Sequence, residues 1–171
     1  TYGLSPERDI YAKDLRTDGF YTIYKLVVFG EEVAEVCLPL PGEHLVKNSL
    51  AAVAIALELG VYPEEIPAIL EGFKGVARRS QVVGNQNGIV IMDDYAHHPT
   101  EISATLKSIK DARANAGRTI AIFQPHRYSR TKDLFEDFAN CFDDADLLYL
   151  TDIYAAGEEE IAGVNSDTLA A

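Results

Sequence analysis

Gly88-Ile89-Val90-Ile91-Met92-Asp93-Asp94-Tyr95-Ala96-His97-His98-Pro99-Thr100-Glu101 is the stretch whose reading decides the fold. A short apolar run of strand length ends in two carboxylates, a tyrosine and two histidines, and a helical spacing begins at the proline. In an open α/β sheet, ligands sit beyond the carboxyl ends of the strands, where loops turn into helices. A strand that ends in titratable side chains therefore marks a binding edge. An ordinary polar loop, with an Asp capping the helix and Pro99 opening it, fits the same residues.

Downstream the pattern repeats. A helix is expected from Thr100 to about Ala116, with Ile102, Leu106 and Ile109 on one face and Gly117 as its stop. Thr119–Phe123 reads as a strand, ending in Gln124-Pro125-His126-Arg127-Tyr128-Ser129-Arg130-Thr131. One helix follows, with Leu134, Phe135, Phe138 and Phe142 as its stripe. Leu147–Leu150 reads as a strand ending in Thr151-Asp152-Ile153-Tyr154. Strand, polar loop and helix thus recur three times, which predicts parallel strands joined by right-handed crossovers: an α/β, Rossmann-like, mainly parallel sheet.

Upstream the pattern is different. Residues 1–18 are polar and mixed, without a clear period. Two alternating runs, Phe20–Phe29 and Ala34–Leu40, surround Gly30 and predict a β-hairpin. A helix is expected from about Leu45 to Leu59, with Val46, Leu50, Val53 and Leu57 inward and Gly60 as its C′ residue. Pro63 opens a second helix, with Ile66, Ile69, Leu70 and Phe73 as its buried stripe. Gly72, Gly75 and Arg78-Arg79 break the periodicity, so the domain boundary is placed near residue 75. Val82-Val83 and Ile89–Ile91 then flank Asn87-Gly88, a favoured hairpin-turn dipeptide.

The chain has 171 residues, 47% hydrophobic and 25% charged, as in ordinary globular domains. Its net charge of −12 excludes a broad nucleic-acid footprint. Anions must be caught by local positive charge, which makes Arg127 and Arg130 informative. No apolar run reaches the length of a membrane-spanning helix. Cys37 and Cys141 form no CxxC pair, which fits a reducing, cytoplasmic setting. The only methionine is Met92, and Ser166–Ala171 reads as the first turn of a helix cut short, so the expectation is a fragment of a longer protein.

At the polar edge, Arg127 and Arg130 offer planar donor forks that match carboxylate or phosphate. Pairing with surface carboxylates is the plainer alternative. Asp93-Asp94 has three readings: a ribose-binding acid, an Mg²⁺-holding pair of receiver type, or an acid that satisfies loop amides. A metal site at His97-His98 lacks the spacing that ligation requires. His44, taken alone, is a cap or surface residue. No GxxxxGK[ST] phosphate loop occurs in the chain.

Together, Asp93–Glu101, Gln124–Thr131, Asp152-Ile153-Tyr154-Ala155-Ala156-Gly157-Glu158, Pro41-Gly42-Glu43-His44 through Asn48–Ala52, and Arg78-Arg79 closely resemble the muramyl ligase family. Within it they are similar to the branch that adds L-alanine to UDP-N-acetylmuramate in peptidoglycan synthesis. The branch that attaches a whole tripeptide during wall recycling shares Ala-His-His-Pro, but its second loop typically reads Pro-Arg-Ser-Asn. The resemblance implies that residues 1–74 are the end of a central ATP-binding domain and 75–171 a C-terminal Rossmann-like ligase domain, truncated at its end. The partners would be the missing N-terminal and central domains of the same protein.

The implied activity is ATP-dependent ligation through an acyl phosphate in the cytoplasm, with ATP and Mg²⁺ as cofactors. The Mg²⁺ ligands and phosphate loop would lie outside this chain, which would be inactive alone. By the same resemblance His44, Asn48, Arg79 and Asp94 contact ATP, and Tyr95, His97, His126, Arg127 and Arg130 face the amino acid and the reacting phosphates. No catalytic residue or metal ligand is assigned. The chain departs from the family pattern at Leu45, usually Asn, and at Ser80, usually aromatic or large and apolar. The alternatives from other classes are a receiver-like nucleotide-binding module and a metal hydrolase using His97, His98 and an Asp.

Overall fold

The computed structural model describes residues 1–114 and 116–170. By its contacts the chain forms two compact units. The first is Thr1–Asp94 with Asp111–Ala114, and the second holds the other described residues from Tyr95 onward. The expected division lay near residue 75, and the hairpin at 81–93 groups with the first unit.

The first unit is built on a four-stranded sheet in the order β1 (Tyr2–Gly3), β2 (Ile10–Asp18), β3 (Tyr21–Val28), β4 (Glu31–Leu38). β1 runs parallel to β2, and the other pairs are antiparallel. The β3–β4 hairpin is the one expected. β2 falls where no period was read, and the reason is local. Its inward positions, Ile10 and Ala12, alternate correctly, but the register shifts between Lys13 and Arg16, where Asp14 has φ 53°. This bulge ends the alternation after two steps. The outer face carries charge instead: Lys13 and Lys25 pair with Glu32, and Arg16 with Glu35.

Tyr24, Leu26 and Val28 of β3 and Val36 and Leu38 of β4 pack against α1 (Glu43–Glu58), which contributes Val46, Leu50 and Val53. The helix ends as expected at Gly60: the Val61 N–H donates to the Ala56 carbonyl and the Gly60 N–H to that of Leu57, a Schellman pair. Pro63–Glu65 form a 3-10 turn, and α2 (Ile66–Glu71) follows. Ile66 and Leu70 are buried, but Ile69 and Phe73 are exposed, so the expected stripe is half as wide. A helix this short presents little more than one buried contact line.

β5 (Gln81–Gln86) and β6 (Ile89–Asp93) make the expected antiparallel hairpin, with Asn87 and Gly88 both at positive φ, as a type I′ turn demands. β6 therefore has an antiparallel partner, where the threefold alternation predicted a first parallel strand.

The second unit contains α3 (Pro99–Arg113) as far as Lys110, β7 (Ile120–Phe123), α4 (Tyr128–Asp133), α5 (Phe135–Ala139), β8 (Leu147–Leu150) and α6 (Ser166–Ala170). The expected end of the first of these helices reached 116, and Asn115 and Ala171 lie outside the described residues. β7 and β8 pair in parallel with α4 and α5 as their crossover, the unit that the alternation predicted. The single helix expected there is broken at Leu134, whose φ of −115° is not helical. Ile102, Leu106, Phe138, Cys141 and Leu169 form the core, with Ala121, Phe123 and Leu150 packed on it. Burial pushes the Cys141 thiol up to about 12, so it serves as a small apolar side chain. The molecule is thus α/β, with the parallel pair β1–β2 in the first unit and the parallel pair β7–β8 in the second.

Candidate functional site

In the first unit the site begins at the entry to α1. Gly42 has φ 105°, a conformation that side chains other than glycine rarely adopt. Its N–H donates to the Thr22 hydroxyl at 3.1 Å, and that hydroxyl donates to the Leu40 carbonyl at 2.9 Å. Buried Thr22 thus fastens the loop that delivers His44 to the first turn of α1. Asn48 sits one turn later on the same helix face and is exposed. His44 is half-buried, and burial lowers its pKa. The Asp94 carboxylate opposes that shift, and Lys47 reinforces it. The imidazole is consequently neutral near pH 7 and can both donate and accept.

A depressed folded-state pKa means that the folded protein binds its proton less readily than the unfolded chain. The stabilising difference is complete above about pH 6.5 and is lost as pH falls from there towards the folded value. In the full-length protein, the urea midpoint should therefore fall below about pH 6.5, and His44→Gln should flatten that fall. An identical slope in wild type and variant would show that His44 is not its source.

Asp94 follows directly on β6. Its Oδ2 accepts the Ser80 N–H at 2.7 Å and the Ser80 hydroxyl at 3.2 Å. Ser80 is buried and sits at φ 47°. At the position where a large apolar residue was expected, the chain therefore has a two-point clamp on the acid. Asp93 turns elsewhere, to the Arg78 guanidinium at 3.5 Å. The adjacent acids serve separate partners, unlike a pair closing on one cation. Among the described residues no group of three or more His, Cys, Asp or Glu could hold a metal ion. Arg79 is exposed in the preceding turn, where its N–H donates to the Val76 carbonyl.

In the second unit, Glu101 folds back over the start of α3. Its Oε2 accepts the N–H groups of His97 at 3.1 Å and His98 at 3.3 Å, and His98 Nδ1 accepts the Thr100 N–H at 3.3 Å, so His98 with Glu101, and not an Asp, caps the helix. His97 Nδ1 lies 2.9 Å from the Tyr95 carbonyl oxygen. A carbonyl only accepts, so Nδ1 carries the proton, and in the neutral ring Nε2 is the basic nitrogen. The Tyr95 and His97 rings meet edge to face at 5.2 Å.

The loops after β7 and β8 are joined. Beyond the last paired residues, the Tyr154 N–H donates to the Pro125 carbonyl and the Arg127 N–H to that of Tyr154. An isolated parallel bridge links His126 and Tyr154, whose rings stack at 5.5 Å. Arg127 has φ 77° and ψ 136°, strained for a residue with a side chain, at a cost of about 1–3 kcal/mol. Its carbonyl accepts both the N–H and the hydroxyl of fully buried Thr131, which with the Tyr154 bond holds the backbone in place. Arg130 lies one turn on, its Nη1 3.5 Å from the His126 carbonyl. Arg127, Ser129, Arg130, Asp133 and Leu134 line an open recess of about 380 Å³.

Glu158 and Ser80 are the contributors that sequence reasoning missed. Glu158 closes the motif that begins at Asp152, with no role attached to it there. Its carboxylate accepts the Ser129 N–H at 2.9 Å and the Ser129 hydroxyl at 2.7 Å, and lies 4.0 Å from Arg127 Nη1. Those Ser129 donors, helped by Arg127, hold its carboxyl below the usual carboxylate value. The left-handed turn at Ala156-Gly157 was the available signal. Ser80 carries no periodic or motif signal.

The first unit thus holds a helix-borne imidazole and a clamped acid, and the second a strained arginine lining an open recess. The chain belongs to the Mur ligase family: residues 78–171 match its glutamate ligase domain. Over 170 residues it is 50% identical to a UDP-N-acetylmuramate–L-alanine ligase from Geobacter sp. (strain M21), covering 99% of this chain and 37% of the relative. A ligase of the same name from Geotalea daltonii (strain DSM 22248 / JCM 15807 / FRC-32) is 48% identical over 171 residues, with 100% and 37% covered. The crystal structure of a UDP-N-acetylmuramate–alanine ligase from Thermotoga maritima superposes with a TM-score of 0.78 at 29% identity, over 90% of this chain and 34% of that one. The chain thus spans 37% of the length of these curated relatives. Among the described residues no helix is long and apolar enough to cross a membrane.

Proposed function

We propose that this chain is the nucleotide- and amino-acid-contacting segment of a cytoplasmic enzyme that ligates L-alanine to UDP-N-acetylmuramate. In this reading residues 1–74 close a central ATP-binding domain, and 75–171 form most of a C-terminal ligase domain. The observation that carries it is the loop Gln124–Thr131. Its strained arginine is pinned by Tyr154 and Thr131 beside an open recess, in a chain 50% identical to an alanine-adding ligase.

The residues suit the ligands. A neutral His44 with Asn48 on one helix face offers donors and acceptors to an adenine edge, and the clamped Asp94 accepts from ribose hydroxyls. Arg79 supplies positive charge towards ATP. ATP, when bound, supplies the phosphoryl group that activates the muramoyl carboxylate as an acyl phosphate. Arg127 and Arg130, with His126, hold the amino-acid carboxylate and balance charge that builds at the reacting centre. In this reading Tyr95 and His97 face the incoming amine, and His97 Nε2 takes a proton from it as it becomes a nucleophile. Mg²⁺, in the same reading, is held by residues outside this chain.

The test is product formation by the full-length protein supplied with ATP, UDP-N-acetylmuramate and either L-alanine or the stem tripeptide. Alanine-dependent ADP release, with the alanyl product identified by mass spectrometry, is the expected result. A preference for the tripeptide would move the protein to the recycling branch. No nucleotide turnover with either would leave a binding module.

A further inference from the structure

Glu158 approaches the amino-acid loop from the far side of the β8 connection. Ala156 and Gly157 both take positive φ, and the Glu158 N–H donates back to the Ala155 carbonyl, a tight reversal that returns the side chain towards α4. Each carboxylate oxygen then takes one Ser129 donor, the N–H on Oε2 and the hydroxyl on Oε1. The Arg127 guanidinium stands 4.0 Å from Oε1.

The backbone of Arg127 is fixed at both its N–H and its carbonyl. Its side chain is half-exposed and long, and an unguided arginine loses much rotamer freedom when a ligand orders it. Each Glu158 oxygen takes one Ser129 donor, and at 4.0 Å the acid attracts the guanidinium by charge without forming a close bidentate pair. The donor fork stays half-exposed beside the recess and available to a second carboxylate. That is how a tether behaves, and a closed ion pair would not.

We propose that Glu158 is a positioning residue for amino-acid binding: by clamping Ser129 and drawing Arg127 towards it, Glu158 sets the direction in which Arg127 meets the substrate carboxylate. This rests on the reading that Arg127 receives the amino-acid carboxylate.

The experiment compares full-length wild type with Glu158→Ala, Glu158→Gln and Glu158→Asp, reading the KM values for L-alanine and ATP separately and the hydrogen-exchange rate of the Ser129 amide. Misplacement of a substrate clamp costs roughly ten- to hundredfold, so Glu158→Ala should raise the alanine KM by that order and leave the ATP KM within about twofold. Glu158→Gln, which keeps an acceptor for Ser129 but no charge for Arg127, should fall between, and Glu158→Asp should recover part of the loss. Ser129 exchange should accelerate in Glu158→Ala whatever substrate the protein uses. If wild type ligates no alanine, the functional reading fails while Ser129 exchange still tests the clamp. An unchanged alanine KM in an active Glu158→Ala enzyme, or unchanged Ser129 exchange, overturns the proposal. Should Glu158→Ala not fold, the isosteric Glu158→Gln takes its place, and an unchanged alanine KM in that variant overturns the proposal equally.

Discussion

Arg127→Ala in the full-length protein should raise the KM for L-alanine by roughly 30- to 150-fold, the equivalent of about 2–3 kcal/mol for a lost charged, hydrogen-bonded pair. The effect should be selective, because Arg127 faces the recess with Ser129 and Arg130. Arg130 remains one turn away and should retain residual binding. Stability should move little. Alanine has no more liking for φ 77° than arginine, but Arg127→Gly removes the strain and should fold at least as well as wild type while binding alanine as poorly as Arg127→Ala. An alanine KM and kcat unchanged from wild type would remove Arg127 from the site.

Asp94→Ala should have the second large effect, on ATP. A carboxylate receiving ribose hydroxyls contributes on the scale of about 1.5–3 kcal/mol, so the ATP KM should rise roughly 10- to 150-fold. The same change strips buried Ser80 of the acceptor for its N–H and hydroxyl. A fall in thermal midpoint should accompany it, because an orphaned buried donor keeps its full desolvation cost. Asp94→Asn separates the two roles: its amide oxygen can still serve Ser80, so stability should largely return while nucleotide binding stays impaired. A variant that loses stability but keeps its ATP KM would make Asp94 a structural acid only.

The sequence shows the elements whose period is undisturbed. The β3–β4 hairpin, α1 with its stop at Gly60, the Asn87-Gly88 turn and the β7–β8 crossover all follow from spacing and turn chemistry. β2 was hidden because its bulge at Asp14 cancels the alternation and its outer face is stitched by ion pairs. The break between α4 and α5 at Leu134 was hidden because the apolar spacing runs straight across it. β6 fits both a hairpin strand and a parallel strand, and periodicity alone does not choose a partner.

At the proposed site, side-chain identity is what singles out Asp94, Tyr95, His97, Arg127 and Arg130, since titratable groups at strand ends carry a physical expectation. Their supports were silent. Ser80, Thr131 and Tyr154 act through one hydroxyl or one backbone group, and such roles leave no pattern in a single sequence. Ser80 even reversed an expectation, because a small polar residue where an apolar one was expected became the clamp on Asp94.

The chain is read as carrying two clusters with different ligands: His44, Asn48, Arg79 and Asp94 for ATP, and Tyr95, His97, His126, Arg127 and Arg130 for the amino acid. A single set of initial rates, varying ATP and L-alanine against each other for wild type, Asp94→Ala and Arg127→Ala, tests this division most directly. Crossed selectivity is the expected result, with Asp94→Ala raising the ATP KM alone and Arg127→Ala the alanine KM alone. Both variants raising both constants by the same factor would contradict it.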